Sequence, residues 1–286
     1  DHTDYDWVAV RKYVDPVPAP NTWGSEEQTA ECEENALNFD GAAAVTVPDD
    51  ATLGLSDTGT LEAWIYPEDF ATGAGIVVKG TTAANYGFGL GGEAGGPFPN
   101  GSNQNIGFRV GTTTTNSSTT LNANQWYHIA CTWNNGGNMI IYINGIQDNS
   151  TGLSNAATTS IESLQMGFQS ITSKGFSGAI DEVRIWNAER TQTQIRDYMC
   201  RDLSDATKTN LVGYWRFNEN FTSACIDASG NANNGTTTAN RICSAAPIGN
   251  DSAHDYAGTD KTEFTINNVP ASLDIVSAYG DYIEVQ

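Results

Sequence analysis

The chain has 286 residues, and 13 basic against 34 acidic side chains give it a net charge of −21. Such a surface repels nucleic acid and anionic membranes, which argues against both as partners. No apolar run approaches the roughly 20 residues that span a bilayer, and the acidic, Asn-, Thr- and Gly-rich, Lys-poor composition fits a secreted protein able to hold Ca²⁺. The length suffices for one large β domain or two smaller ones.

In chain order, the opening DHTDYDW lacks an initiator Met and a signal sequence, and reads as a processed or excised piece of a longer protein. Residues 1–34 contain one strand-like run, YDWVAVRKYV, the expected tail strand of a preceding domain. Pro16, Pro18 and Pro20 and the acidic SEEQTAECEEN then form an extended linker. Short strand patterns begin at Ala36 with ALNFDG and AVTVP. In GTLEAWIYP, Leu61, Ala63 and Ile65 alternate with Glu62, Trp64 and Tyr66. GIVVKG, YGFGLGG and NIGFRVG follow, each bounded by Gly or Asn. QWYHIACTW and NMIIYINGIQ flank Asn134-Asn135-Gly136-Gly137, a hairpin signal. Cys131, inside the first of these, reads as a buried thiol, and His128 as a structural imidazole. LQMGFQS, IDEVRIW and LVGYWRFNE bring the total to about eleven strands at short spacing, with one helix near the end and none alternating with the others, which predicts an antiparallel two-sheet sandwich rather than an α/β fold. Residues 244–286 carry three further strand-sized runs. They are either the start of a following β domain or a peripheral hairpin.

Phe176–Met199, FSGAIDEVRIWNAERTQTQIRDYM, organises the rest. By strict alternation Ile180, Glu182, Arg184 and Trp186 share one face, and Asp181, Val183 and Ile185 the other. Large side chains on both faces predict protein on both sides. A short helix follows, with Thr191 as its cap and Ile195 and Met199 on one face. Together with Asn38-Phe39-Asp40-Gly41 upstream and LVGYWRFNEN downstream, this stretch resembles the laminin-G-like family, surface modules built on the concanavalin A-like jelly roll. The resemblance covers roughly residues 35–240. It implies an all-β jelly roll over 35–243 with one short helix and flanking strand segments. It also implies a structural Ca²⁺ held by Asp40, Asp181 and the carbonyl of Gly41. The competing readings are an Asx-turn at Asp40 and a capped or salt-bridged carboxylate at Asp181. Asp227-Ala-Ser229-Gly-Asn231-Ala-Asn233 is a second calcium-like run, although no Glu follows at EF-hand spacing.

The ends of a jelly roll lie close together, so Cys32 and Cys243, which bracket the domain, are expected to pair. Cys200 and Cys225, which bracket the strand after the helix, form the second expected pair. Four cysteines allow three connectivities, and five reduced thiols are the alternative. The related glucanases need a Glu-x-Asp-x-x-Glu strand, and none occurs. Asp181 and Glu182 are adjacent and should face opposite ways, which predicts a non-catalytic chain. The loop Gly91–Asn105 offers Phe98, Asn100, Asn103 and Gln104 to a glycan, with an ordinary solvated connection as the competing reading. Trp64, Trp133, Trp186 and Trp215 alternate with apolar residues and belong in the core. The expected function is an extracellular adhesion or carbohydrate-binding module of a larger surface protein, meeting a glycan or a cell-surface or matrix partner. The alternative is a structural spacer or self-assembly unit, contacting neighbouring domains or copies of itself.

Overall fold

The structure, a computed structural model, describes residues 34–80, 86–92, 97–99, 101–154, 160–170, 173–201, 203, 207–219 and 223–248, together with the backbone of three short outlying strands. The strands are β1 (Asn35–Asp40), β2 (Val45–Val47), β3 (Thr58–Pro67), β4 (Gly75–Lys79), β5 (Tyr86–Leu90), β6 (Ile106–Val110), β7 (Thr113–Asn116), β8 (Tyr127–Asn134), β9 (Asn138–Ile143), β10 (Ile146–Gly152), β11 (Leu164–Met166), β12 (Ser177–Trp186), β13 (Leu211–Trp215), β14 (Ala224–Cys225), β15 (Gly235–Thr237) and β16 (Asn240–Cys243). One helix, α1 (Gln192–Tyr198), joins β12 to β13.

Two eight-stranded antiparallel sheets result. The first runs β10-β9-β8-β3-β12-β1-β16, with β13 also pairing to β12. The second runs β14-β15-β2-β11-β4-β5-β6-β7. Their inner faces meet in one core. Leu61, Ala63, Ile65, Ile129, Cys131 and Trp133 come from the first sheet, and Val45, Val47, Phe88, Phe108, Leu164 and Met166 from the second. The period-2 alternation of β3 and β8 produces this division, and the predicted hairpin at Asn134–Gly137 joins β8 to β9 with Gly136 at φ +80°. The two-sheet sandwich is therefore as expected. The outlying strands make a separate three-stranded sheet in which Val8–Ala9 pairs with Tyr282–Val285 and that strand with Ile275–Tyr279. A strand from the first segment and two from the last thus pair with each other.

Strand β12 is buried on both faces, as expected, but its alternation breaks. Ile180, Val183 and Ile185 point into the core, whereas Asp181, Glu182, Arg184 and Trp186 lie outside it. The register to β3 shifts between Asp181 and Arg184, and Glu182 takes φ +52°. This bulge turns two consecutive carboxylates to the same side of the sheet. Helix α1 covers that side. Its capping box is complete: Gln194 N–H donates to Thr191 Oγ1 (3.2 Å) and Thr191 N–H donates to Gln194 Oε1 (2.9 Å). Ile195 packs on Ala130 and Tyr142, and Met199 and Cys200 pack on Trp64.

The Cys200–Cys225 pairing is overturned. Neither cysteine is in a disulfide and both are buried, Cys200 against Trp64 outside the first sheet and Cys225 between the sheets, so the sheet separates them. Cys131 is a free core thiol, as its strand position predicts. Cys32 lies outside the described residues, and Cys243 is not among the free thiols.

Candidate functional site

Three sequence-predicted sites can be placed. Asp40 and Asp181 do not come together. Asp40 pairs with Ser177 across the ladder, and Asp181 stands four residues further along β12, roughly 13 Å in an extended strand. Asp40 is exposed and closes an Asx-turn, its Oδ1 accepting from the N–H groups of Ala42 (3.0 Å) and Ala43 (2.9 Å), which hold its carboxyl below the usual range. The carbonyl of Gly41 abuts the Cα of Gly175, where an added Cβ would lie only 2.1 Å from that oxygen. Asp181 is buried, accepting from Glu182 N–H (2.8 Å) and Ser244 Oγ (2.5 Å). Burial, then the neighbouring Glu182, push its carboxyl well above the usual value. These residues do not fit a shared Ca²⁺. Among the described residues no cluster of three or more His, Cys, Asp or Glu side chains has metal-binding geometry.

Phe98 is not an exposed platform. It is 1% exposed and lies against β5 and β6. Gly89 and Gly107 pair across these strands, and a Cβ on either would come within 2.6 Å of the Phe98 side chain. The two missing side chains make the bed for the ring. Asn103 Nδ2 donates to the Phe70 carbonyl (2.8 Å), fastening the loop, and the Gln104 carbonyl accepts from Leu121 N–H (2.8 Å). Asn100 lies outside the described residues. Phe98 thus packs on the second sheet, and its ring is unavailable to a ligand.

The carboxylates of β12 also stand elsewhere than expected. The bulge places Asp181 and Glu182 on one side, but both are buried and engaged. Glu182 Oε2 accepts from Arg184 Nη2 and from the Tyr214 hydroxyl, each at 2.5 Å. Beside them Glu62 lies 3.4 Å from His128 Nε2 and 3.3 Å from Arg190 Nε. Burial pushes the Glu62 carboxyl up, but His128, Arg190 and Arg184 outweigh it and leave it below the usual value. Burial holds the His128 imidazole low, with Glu62 only partly opposing. His128 is a core imidazole, edge-on to Trp64 with ring centroids 5.3 Å apart.

A cleft of about 560 Å³ opens at the other end of β3, where four segments meet: the turn 51–58, Asn187 after β12, 210–212 entering β13, and Asn231. Its walls are rigidly tied. Asp227 is buried, its carboxylate accepting from Tyr214 N–H (2.9 Å), Ser229 N–H (2.8 Å), Ser229 Oγ (2.8 Å) and Asn233 N–H (2.9 Å). Asn233 Nδ2 then donates to the Val212 carbonyl (2.8 Å) and Thr52 Oγ1 (2.9 Å), joining the loop to the 51–53 turn. Both Asp227 oxygens are therefore taken by N–H and hydroxyl donors, and the calcium-like run acts as an internal pin. Into the cleft project Ser56, Asn187 and Asn210, whose side chains bond to no described residue, and Asp57, which holds one weak bond to Asn135 Nδ2 (3.3 Å). No cationic side chain lines it. None of these four was singled out from sequence, because they lie on separate segments with no common spacing.

The sandwich, with its single capped helix and a polar cleft at one end, defines a jelly-roll domain of the lectin type. The chain belongs to the Laminin_G_3 family of the concanavalin A-like lectin/glucanases superfamily, whose model matches residues 39–196. Among solved structures, it is similar to a candidate carbohydrate binding protein from Bacteroides ovatus, with 23% identity and a TM-score of 0.61 over 76% of this chain. The chain spans 62% of that protein's length. It is also similar to domain 4 of AbnA, an extracellular arabinanase from Geobacillus stearothermophilus solved with arabinotriose, with 21% identity, a TM-score of 0.45, and coverage of 56% of this chain and 74% of that one. No curated protein matches the sequence. Among the described residues no helix is long and apolar enough to cross a membrane.

Proposed function

We propose that the domain is a non-catalytic carbohydrate-binding module of an extracellular, multidomain protein. The cleft carries this reading. Its free groups are two amides, a hydroxyl and a carboxylate held on a rigid frame, and such groups match the paired donors and acceptors of sugar hydroxyls. The carbohydrate-binding designation of the Bacteroides ovatus relative is in keeping with it. The absence of catalysis rests on two points. None of the eight strands of the second sheet contains Asp or Glu, so that face lacks the facing carboxylates of a glycosidase. The carboxylates of β12 are locked in buried bonds. A Cys32–Cys243 disulfide closing the domain belongs to the same extracellular reading, and calcium has no part in it.

The test is binding to a glycan array and then, by calorimetry, to the best ligand. Asn187→Ala with Asn210→Ala is expected to weaken binding at least tenfold while leaving Tm within a few degrees, since both side chains are exposed and unbonded. Chelator should change neither Tm nor affinity. A folded protein that binds no glycan would remove this reading and favour the spacer or self-assembly unit.

A further inference from the structure

The make-up of the cleft at the end of β3 narrows the sugar it can take. Its apolar part is small. Leu55, Leu211 and Val212 line it with exposures of only 7%, 4% and 6%, enough to touch a methyl group and too little to seat the face of a sugar ring. Among the described residues no aromatic side chain lines it, so the stacking that commonly holds a pyranose has no platform. The polar groups around this floor are held in place. Asn210 takes φ +68°, a left-handed conformation in which asparagine is favoured, and its carbonyl accepts from Asn187 N–H (2.9 Å), tying the two amide-bearing segments together. Asn231 Nδ2 donates to the Leu211 carbonyl (3.1 Å) and to Ser229 Oγ (3.1 Å), while its Oδ1 bonds to no described residue. Asp57 is the one ionised group among the lining residues, and its exposed carboxylate fills a single weak bond out of several acceptor positions. The nearest cation along the chain, Lys208, stands two residues before Asn210 and does not line the cleft.

We propose that the cleft binds a neutral N-acetylhexosamine and recognises it by the acetamido group. This rests on the carbohydrate-binding reading above and names the sugar class. An acetamido group has three parts, and the cleft has a partner for each. The methyl seats on the floor of Leu55, Leu211 and Val212. The N–H donates to the Asp57 carboxylate, and the carbonyl accepts from the amide of Asn187 or Asn210. Asn231 Oδ1 and the Ser56 hydroxyl are left for the ring hydroxyls. The volume of about 560 Å³ is ordinary for a small-ligand site. A plain hexose sets a hydroxyl where the acetamido group would lie and leaves the apolar floor uncovered, and a free-amine sugar meets Asp57 but leaves the same gap. Sialic acid also carries an acetamido group. Its carboxylate would face Asp57 on a chain of net charge −21, with no cation lining the cleft to receive it.

The experiment is calorimetric titration of the full chain with matched gluco- and galacto-trisaccharides bearing N-acetyl, N-formyl, free-amine or hydroxyl groups at the same position, and with sialyllactose. The N-acetyl form of at least one epimer is expected to bind about tenfold or more tighter than its amine and hydroxyl counterparts, the worth of a charge-assisted hydrogen bond. The N-formyl form, which lacks only the methyl, should bind about fourfold more weakly than the N-acetyl form. Asp57→Ala should remove most of the N-acetyl preference in a protein that keeps its wild-type melt, since the side chain is exposed and makes one weak bond. Saccharide binding that ignores the acetamido group, or favours the free amine or sialyllactose, overturns the inference and leaves the module reading standing. So does an N-acetyl preference that neither Asp57→Ala nor Asn187→Ala/Asn210→Ala alters, because the group is then read elsewhere. A folded protein that binds none of these trisaccharides and no glycan on the array overturns both.

Discussion

Arg184→Met is expected to cost about 3–5 kcal/mol, the usual penalty for stranding a buried charge, and so to lower Tm by roughly 10 °C or more. Arg184 is 1% exposed. Its Nη2 donates to Glu182 Oε2 (2.5 Å) and the Arg201 carbonyl (2.7 Å), and its Nη1 to the Tyr198 carbonyl (2.7 Å). The guanidinium also stacks over Tyr214, 5.0 Å from the ring centroid. One of these bonds thus reaches the carbonyl of Tyr198, the last residue of α1, and another that of Arg201 just beyond it, so the guanidinium ties the helix exit to the sheet. The substitution takes the nearest cation from the buried Glu182 carboxylate, leaving it the Tyr214 hydroxyl and the Arg216 Nε at 3.7 Å, and unpins the helix at the same time. Adding Glu182→Gln removes the stranded charge and should recover part of the loss, which separates the two effects. Chemical denaturation of the single and double variants measures both terms. A single variant within 1 kcal/mol of wild type would show that α1 is held by Ile195 and Met199 alone.

The same cluster gives the fold a pH dependence of defined sign. His128 has a lowered folded value, so the native state holds it neutral. The stability this contributes is complete above the unfolded imidazole value of 6.5 and is lost as pH falls below it. Glu62, also lowered, loses its contribution on the same side, below its unfolded value of 4.5. Asp181 is raised and works in the opposite direction. Its contribution is present at low pH and lost as pH rises through its folded value. His128→Gln should therefore flatten the decline of Tm between pH 7 and about pH 5 without altering the slope at higher pH.

Much of this architecture is legible in the sequence because it follows from periodicity. The alternation of Leu61, Ala63 and Ile65 with Glu62, Trp64 and Tyr66, the hairpin at Gly136, and the Thr191 cap each express a local rule. The bulge does not. A left-handed Glu182 has no signature in composition, yet it turns Asp181 and Glu182 to one side and brings Glu182 to Arg184. Phe98 was misread because Pro97 and Pro99 suggest a solvated loop. The informative signal lay on other strands, in Gly89 and Gly107, which leave a space once they are paired. The cleft draws on four segments separated by up to most of the domain, with no fixed interval along the chain.

Asp227→Ala should have the second large effect, on both stability and the cleft. The carboxylate takes three backbone N–H groups and one hydroxyl, and the N–H groups of Tyr214 and Asn233 are buried. Each buried donor left without a partner costs about 1–3 kcal/mol, so a total near 3–5 kcal/mol is expected. The loss also releases Asn233 from its bonds to the Val212 carbonyl and Thr52 Oγ1, and with it the wall carrying Asn231. Saccharide affinity at the cleft should fall even at temperatures where the protein stays folded. Asp227→Asn retains one accepting oxygen but sets an NH₂ against a backbone donor, so it should lie between wild type and Asp227→Ala. Added Ca²⁺ should rescue neither variant and should not raise the wild-type Tm, because both Asp227 oxygens are already taken by N–H and hydroxyl donors. A Ca²⁺-dependent rise in the wild-type melt, lost in Asp227→Asn, would instead make the run a metal loop.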